Sequence, residues 1–263
     1  MTKKTYKKFI FILSIVIAVL TVAAIASTVL LAVIGPQKGI LGHRKKDVSD
    51  FSPITPLEEG ADRGEFYVNN MIFVGDSVTL AMKDLQLLSN GRDTTQIWCG
   101  EGGDLPLDYN IDKTAIVYPE SGLAISIPEA AKLSKPNTML ISIGISNGVP
   151  YCTEDTFKAY YTKLVKGIQK ASPDTRIILQ SVFPTSKNYQ KSNSEITNEK
   201  IVEANRWISE VALDCSVGYL DTYSILTDEK GYLNGKYDSG DGLHLNAEGY
   251  KAVLYYIRTH GAK

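Results

Sequence analysis

The segment DGLH, residues 241–244, places a carboxylate and an imidazole three positions apart. One short turn can bring Asp241 against His244 and fix which ring nitrogen carries the proton. Such a pair serves as the base for a serine nucleophile, provided a serine lies within hydrogen-bond reach. The other two histidines are weaker candidates, because His43 lies in a segment without periodicity and His260 ends the last predicted helix. Ser77, in GDSV, follows the short apolar run MIFVGD and opens a helical pattern. A helix N-terminus gathers free N–H groups that stabilise a developing anion. Taken alone, Ser77 reads first as a helix cap, and no G-x-S-x-G elbow surrounds it.

Two further segments could supply anion-stabilising donors. CGEGGDL, residues 99–105, offers glycine backbone close to a ligand, and no G-K-[ST] follows that would make it a phosphate loop. GISNGVP, residues 144–150, offers the side-chain amide of Asn147. Each also reads as a plain turn.

All four segments fall at the ends of predicted strands. From residue 68 onward, short apolar runs (MIFVGD, TQIWCG, TMLISIG, TRIILQSVF, VGYLD) alternate with helical patterns. Among those helices are ISIPEAAKLS, TEDTFKAYYTKLVKGIQKAS, EITNEKIVEANRWISEVALDC and NAEGYKAVLYYIRTH. Five strands alternating with helices predict a parallel sheet covered on both faces, with right-handed crossovers. In such sheets ligands bind outside the carboxyl ends of the strands, where the chemically able residues stand.

The four segments VGDSV, GGD, GISNG and DGLHLNAEGY, in this order, resemble the four blocks of the SGNH (GDSL-type) hydrolases over residues 68–260. The resemblance implies a three-layer α/β/α, flavodoxin-like fold with strand order 2-1-3-4-5. It implies Ser77 as nucleophile, His244 as general base and Asp241 as the acid that orients it. It also implies an oxyanion hole made by the backbone N–H groups of Ser77 and Gly103 and the side chain of Asn147, with Gly102 the second choice to Gly103. The third block departs from the family's Gly-x-Asn-Asp: two residues separate Gly144 from Asn147, and Gly148 stands where the Asp would be. A one-residue bulge would still aim Asn147 inward. Asp76 has an expected local role, accepting N–H groups of its turn, and Asn205 and Asp221 are expected to be structural. Tyr151, Phe183, Tyr189 and Leu243 are candidate pocket-lining residues.

The N-terminus has a different character. Lys3, Lys4, Lys7 and Lys8 precede an uncharged run over residues 9–34. As a helix this run spans roughly 39 Å, against about 30 Å of bilayer hydrocarbon. The lysines favour a cytoplasmic N-terminus (residues 1–8) and an extracytoplasmic body. Ala24-Ile25-Ala26 resembles a cleavage site, but apolar residues continue beyond it, which favours an uncleaved signal-anchor helix. Residues 35–66, rich in Gly, Pro and charge, are expected to form a linker to a hydrolase domain over residues 67–263.

Composition bounds the partners. The net charge is −1 and no basic run is interleaved with aromatics inside the body of the chain, so nucleic acid is not expected. No metal-ligand spacing is present and no cofactor is implied. Cys99, Cys152 and Cys215 are expected as free thiols, with Cys99–Cys152 the one pairing that strand ends could bring together. The expected substrate is an ester: an acylated (acetylated) envelope glycan, a small ester or a lipid, at a bacterial plasma membrane. Acyl transfer to a sugar hydroxyl uses the same acyl-enzyme and remains open beside hydrolysis. A catalytically silent glycan-binding module is the rival outside enzymology.

Overall fold

A computed structural model describes residues 56–261. The expected cytoplasmic N-terminus, membrane-spanning helix and most of the linker lie outside the described residues. Among the described residues no helix is long and apolar enough to cross a membrane.

The body is built on a five-stranded parallel sheet. Its strands are β1 (Met71–Gly75), β2 (Ile97–Trp98), β5 (Thr138–Ser142), β6 (Arg176–Gln180) and β7 (Gly218–Leu220), in the order β2-β1-β5-β6-β7. Numbered among themselves, these five strands stand in the expected order 2-1-3-4-5. The central strands carry apolar side chains on both faces: Phe73, Met139, Ile141, Ile177 and Leu179 are all buried. That continuous apolar character is what a sheet sandwiched between helices demands.

One helical layer contains α3 (Ile127–Ser134), α5 (Glu154–Ala171) and α7 (Asn198–Asp214). Gly167 of α5 lies against Pro128 of α3, and Lys158 and Glu154 of α5 pair with Glu210 and Arg206 of α7. The other layer pairs α2 (Ser77–Asp84) with α9 (Ala247–Thr259), tied by a 2.6 Å hydrogen bond from the Tyr250 hydroxyl to the Val78 carbonyl. Helix starts follow the sequence: Ser126, Thr153, Thr197 and Asn246 each accept from the N–H three residues on.

The body begins earlier than the linker reading places it. The Leu57 N–H donates to Tyr219 O, Gly60 to Thr259 O and Arg63 to Arg258 O, and α1 (Gly64–Asn69) buries Val68. Composition alone cannot reveal this, because backbone hydrogen bonds to distant segments leave no periodic pattern. A small antiparallel hairpin, β3 (Ala115–Val117) with β4 (Ala124–Ser126), and the one-turn helix α4 (Gly148–Tyr151) also carry too little pattern to read. The remaining short helices are α6 (Lys187–Ser192) and α8 (Tyr223–Leu226).

Asn205 pins the chain after β6, accepting from the Val182 N–H at 2.7 Å and donating to its carbonyl at 3.0 Å. Asp221 accepts from Ser224. The three cysteines are free thiols; Cys99 and Cys215 are buried and Cys152 partly so. The Cys99–Cys152 pairing is therefore not formed.

Candidate active site

The turn from β1 into α2 fixes Ser77. Gly75 ends the strand where no side chain fits: a Cβ there would lie 1.9 Å from Thr79 Oγ1 and 2.6 Å from Ser142 O. Asp76 is the helix cap, its Oδ1 accepting from the Val78 N–H at 3.1 Å, as its expected local role requires. Ser77 is the first helical residue rather than the cap, so its own N–H stands at the helix N-terminus. No partner takes that N–H among the described residues.

The segment before α9 brings the base. Asp238 Oδ1 accepts from the N–H groups of Gly240 (2.7 Å) and Gly242 (2.9 Å), both glycines having positive φ. Asp241 Oδ1 then accepts from the Leu243 N–H at 2.9 Å, the His244 N–H at 2.8 Å and the Ser239 hydroxyl at 3.2 Å. Its Oδ2 lies 2.6 Å from His244 Nδ1, and His244 Nε2 lies 3.0 Å from Ser77 Oγ. Ser77, His244 and Asp241 thus form one continuous line of hydrogen-bonding atoms. Burial pushes the Asp241 carboxyl upward, but the Leu243 N–H, the His244 ring and the His244 N–H outweigh it and hold it at about 2. A carboxylate at Nδ1 takes that nitrogen's proton as a hydrogen bond. Nε2 is left with a lone pair to receive the Ser77 proton.

The sequence-expected oxyanion donors have unequal positions. Gly103, with φ +84°, packs directly on the serine: a Cβ there would lie 3.0 Å from Ser77 Cα. Its N–H already donates to Gly100 O at 3.0 Å, so it would meet an oxyanion only as a shared donor. Gly102, the second choice, has φ +65° and open space at its Cβ position. Gly144, with φ +128°, turns the chain after β5 into the segment bearing Asn147. Because β1 pairs with β5 in the register Gly75↔Ser142, this segment lies beside the Ser77 turn. Asn147 precedes α4, and its side-chain amide has no hydrogen-bond partner among the described residues. Ser146 beside it is exposed.

Asp76 itself is 2% exposed. Burial raises its carboxyl to about 7, against the opposing pull of the Val78 N–H and His244. Its Oδ2 has no hydrogen-bond partner within contact distance. Asp76 lines a small cavity with Val78, Ile143, Val182, Phe183 and Leu243. That cavity, about 10 Å³ measured at the centre of a water-sized sphere, admits one water or one methyl group. Phe183 and Leu243, two of the candidate pocket residues, line this cavity. Tyr189 lies against the base-bearing turn, close to where a Gly242 side chain would be, and Tyr151 stands exposed on α4. Sequence reasoning missed Asp238 and Ser239, which build the base's turn. The Asp-Ser-Gly-Asp-Gly run around them was their only signal.

Residues 73–252 match the GDSL-like Lipase/Acylhydrolase family. The chain belongs to this family. It is accordingly an enzyme of the acylhydrolase type, and the Ser77 turn lies inside the matched region. No curated protein matches the chain. Among solved structures, a Streptococcus pneumonia protein provisionally named a platelet activating factor is 19% identical. It aligns over 72% of this chain and 82% of its own, with a TM-score of 0.52. The periplasmic domain of a lipopolysaccharide acetyltransferase from Salmonella ser. Paratyphi A is 18% identical over 78% of this chain and 84% of that one (TM-score 0.46). A mutant of an acetyl-xylooligosaccharide esterase from Geobacillus Stearmophilus is 18% identical over 73% and 94% (TM-score 0.45). The first of these likenesses bears on the fold, an α/β arrangement around a parallel sheet, and on nothing finer.

Proposed function

We propose that this GDSL-family chain is a membrane-anchored, extracytoplasmic serine esterase that removes short acyl groups, acetyl above all, from envelope glycans. The observation that carries the reading is the line Ser77 Oγ–His244 Nε2 at 3.0 Å and His244 Nδ1–Asp241 Oδ2 at 2.6 Å. Ser77 Oγ attacks the ester carbonyl carbon as its proton passes to His244 Nε2. Asp241, held ionised, stabilises the resulting imidazolium. The Ser77 N–H and the Asn147 amide take the charge on the carbonyl oxygen, with Gly103 as a shared third donor. The imidazolium then protonates the leaving alcohol, leaving an acyl-Ser77. Water, deprotonated by the same His244, repeats the sequence and releases the carboxylate.

A small cavity lined by Asp76 and Val78, the residues on either side of Ser77, has room for about one methyl group, which supports acetyl as the acyl group. The N-terminal lysines and the apolar run over residues 9–34 support the anchor and an external body. The test is an ester panel of increasing acyl length, with fluorophosphonate labelling, comparing the wild type with Ser77→Ala. Acetyl esters are expected to be cleaved best. Ser77→Ala should remove labelling and about 10⁶-fold of turnover, the scale on which a nucleophile of this kind acts. Labelling or hydrolysis retained in that variant would overturn the assignment.

A further inference from the structure

In the proposed substrate the acyl group is small, so most of the bulk lies on the alcohol side. α4 follows the Gly144–Asn147 segment, which the sheet register sets beside the Ser77 turn, and Tyr151 ends it, four positions after Asn147. One side of α4 is closed: Val149 is buried, and a Cβ at Gly148 would lie 2.7 Å from Phe157 and 3.0 Å from Leu107. Tyr151, by contrast, is 72% exposed and makes no ring contact or hydrogen bond among the described residues.

A second exposed aromatic belongs to the neighbouring loop. The loop carrying Leu107 packs on α4, with the Cys152 thiol 4.0 Å from Leu107 O. Two residues on, Tyr109 is 68% exposed, and it is held in place from behind. The Lys163 ammonium lies 4.3 Å from its ring centroid and donates to its carbonyl at 2.6 Å, while Tyr160 meets the ring edge-on at 6.4 Å. An immobilised exposed ring is a surface already organised for binding.

We propose that Tyr151, with Tyr109 on the loop packed against α4, forms the alcohol-side subsite and stacks on a sugar ring of the substrate. A pyranose presents one face of C–H groups and a rim of hydroxyls. A tyrosine presents an apolar π face and a phenol that hydrogen-bonds while exposed to water. A lipid alcohol would call for a continuous apolar channel, whereas this surface is open and carries Asn147, Lys163 and Asp112 among its tyrosines. The inference rests on the esterase reading above and names the residues that would hold the glycan.

The experiment compares kcat/KM for an O-acetylated hexose oligosaccharide, ethyl acetate and hexadecyl acetate, using the full chain in detergent. Variants are Tyr151→Ala, Tyr151→Phe and Tyr109→Ala. The wild type should prefer the sugar ester. Tyr151→Ala should lower the ratio of sugar-ester to ethyl-acetate kcat/KM about tenfold, mainly through KM, the scale of one aromatic contact. Tyr151→Phe keeps the ring and should keep most of the ratio, and Tyr109→Ala should lower it by a smaller factor. An unchanged ratio in Tyr151→Ala overturns the proposal, even if both rates fall because the fold is weakened. A wild-type preference for hexadecyl acetate overturns it in favour of a lipid alcohol. Wild-type cleavage of ethyl acetate without any preference for the sugar ester overturns the subsite while leaving the esterase standing. Failure to cleave any of the three esters overturns the esterase reading itself.

Discussion

Asp241 and His244 occupy a turn braced by its own hydrogen bonds, whereas Asn147 sits in a segment whose side chain is bonded to nothing described. On the first side Asp238, Ser239 and Asp241 satisfy one backbone group after another, and the imidazole has a partner at each nitrogen. On the second, Gly144 turns the chain and the sheet register places it, but the amide is left unspent. The two constructions suit two tasks. A base must be held in one tautomer before the substrate arrives. An oxyanion donor helps only if its hydrogen bond is not already made in the resting state, because catalysis depends on what the transition state gains over the ground state. By that measure the Ser77 N–H and Asn147 would be the better donors in the proposed mechanism, and Gly103, already bonded to Gly100, would contribute less.

The braced side is the place for the larger loss. Asp241→Asn keeps the size of the side chain but offers an amide in place of the acceptor at Nδ1. That arrangement favours the wrong tautomer, with the proton on Nε2. A fall of about 10⁴-fold in kcat on an acetyl ester at neutral pH is expected. Because Asp241 is held at about 2, the wild-type rate should show no inflection from this group above pH 4. A loss of less than tenfold would mean that the bracing does not serve the base.

On the unspent side, Asn147→Ala should reduce kcat by about 10²–10³-fold with little change in KM, since the donor acts on charge that develops only in the transition state. Ser146→Ala is the control that sharpens the comparison. Its side chain is exposed, and removing its hydroxyl should cost less than tenfold. If the Ser146 variant loses more than the Asn147 variant, the donor is the serine and the bulge has moved the functional position back by one residue.

This difference also governs what could be read before the fold was known. Ser77, Asp241 and His244 were legible because a helix start and a four-residue turn are local structures, and residue type nearly dictates their geometry. The alternating strands were legible for the same reason: β5 and β6 are unbroken apolar runs of the length a buried parallel strand needs. Asn147 was only half legible. Its position depends on Gly144 adopting φ +128° and on a four-residue helix that no periodicity announces. The spent N–H of Gly103 was not legible at all, since a three-residue turn leaves no pattern in side-chain type. Residues 57–63 read as linker because what holds them, backbone bonds to Tyr219, Thr259 and Arg258 and the Asp62–Arg258 ion pair, is made with distant segments and leaves no periodic pattern.

Asp76 joins the two sides, and it offers the smallest but most discriminating test. Its carboxyl is buried beside the nucleophile with Oδ2 unpartnered, and burial lifts it to about 7 from an ordinary value of about 4. A carboxyl whose folded value lies above its unfolded one binds more protons when folded. Its cost to stability is therefore absent below about pH 4, grows as pH rises toward 7, and is constant above that. An asparagine in its place would keep the acceptor for the Val78 N–H but could not ionise. Asp76→Asn should thus raise Tm at pH 8, on the order of 5–10 °C if a few kcal/mol are recovered in a body of this size. The gain should shrink to nothing as the melt is repeated down to pH 4. A variant less stable than the wild type at both pH values would show that the carboxyl holds the turn in a way an amide cannot, whatever its charge. A gain that grows with pH identifies Asp76 as strain held at the active site, which is where folded proteins keep such unfavourable groups when function requires them.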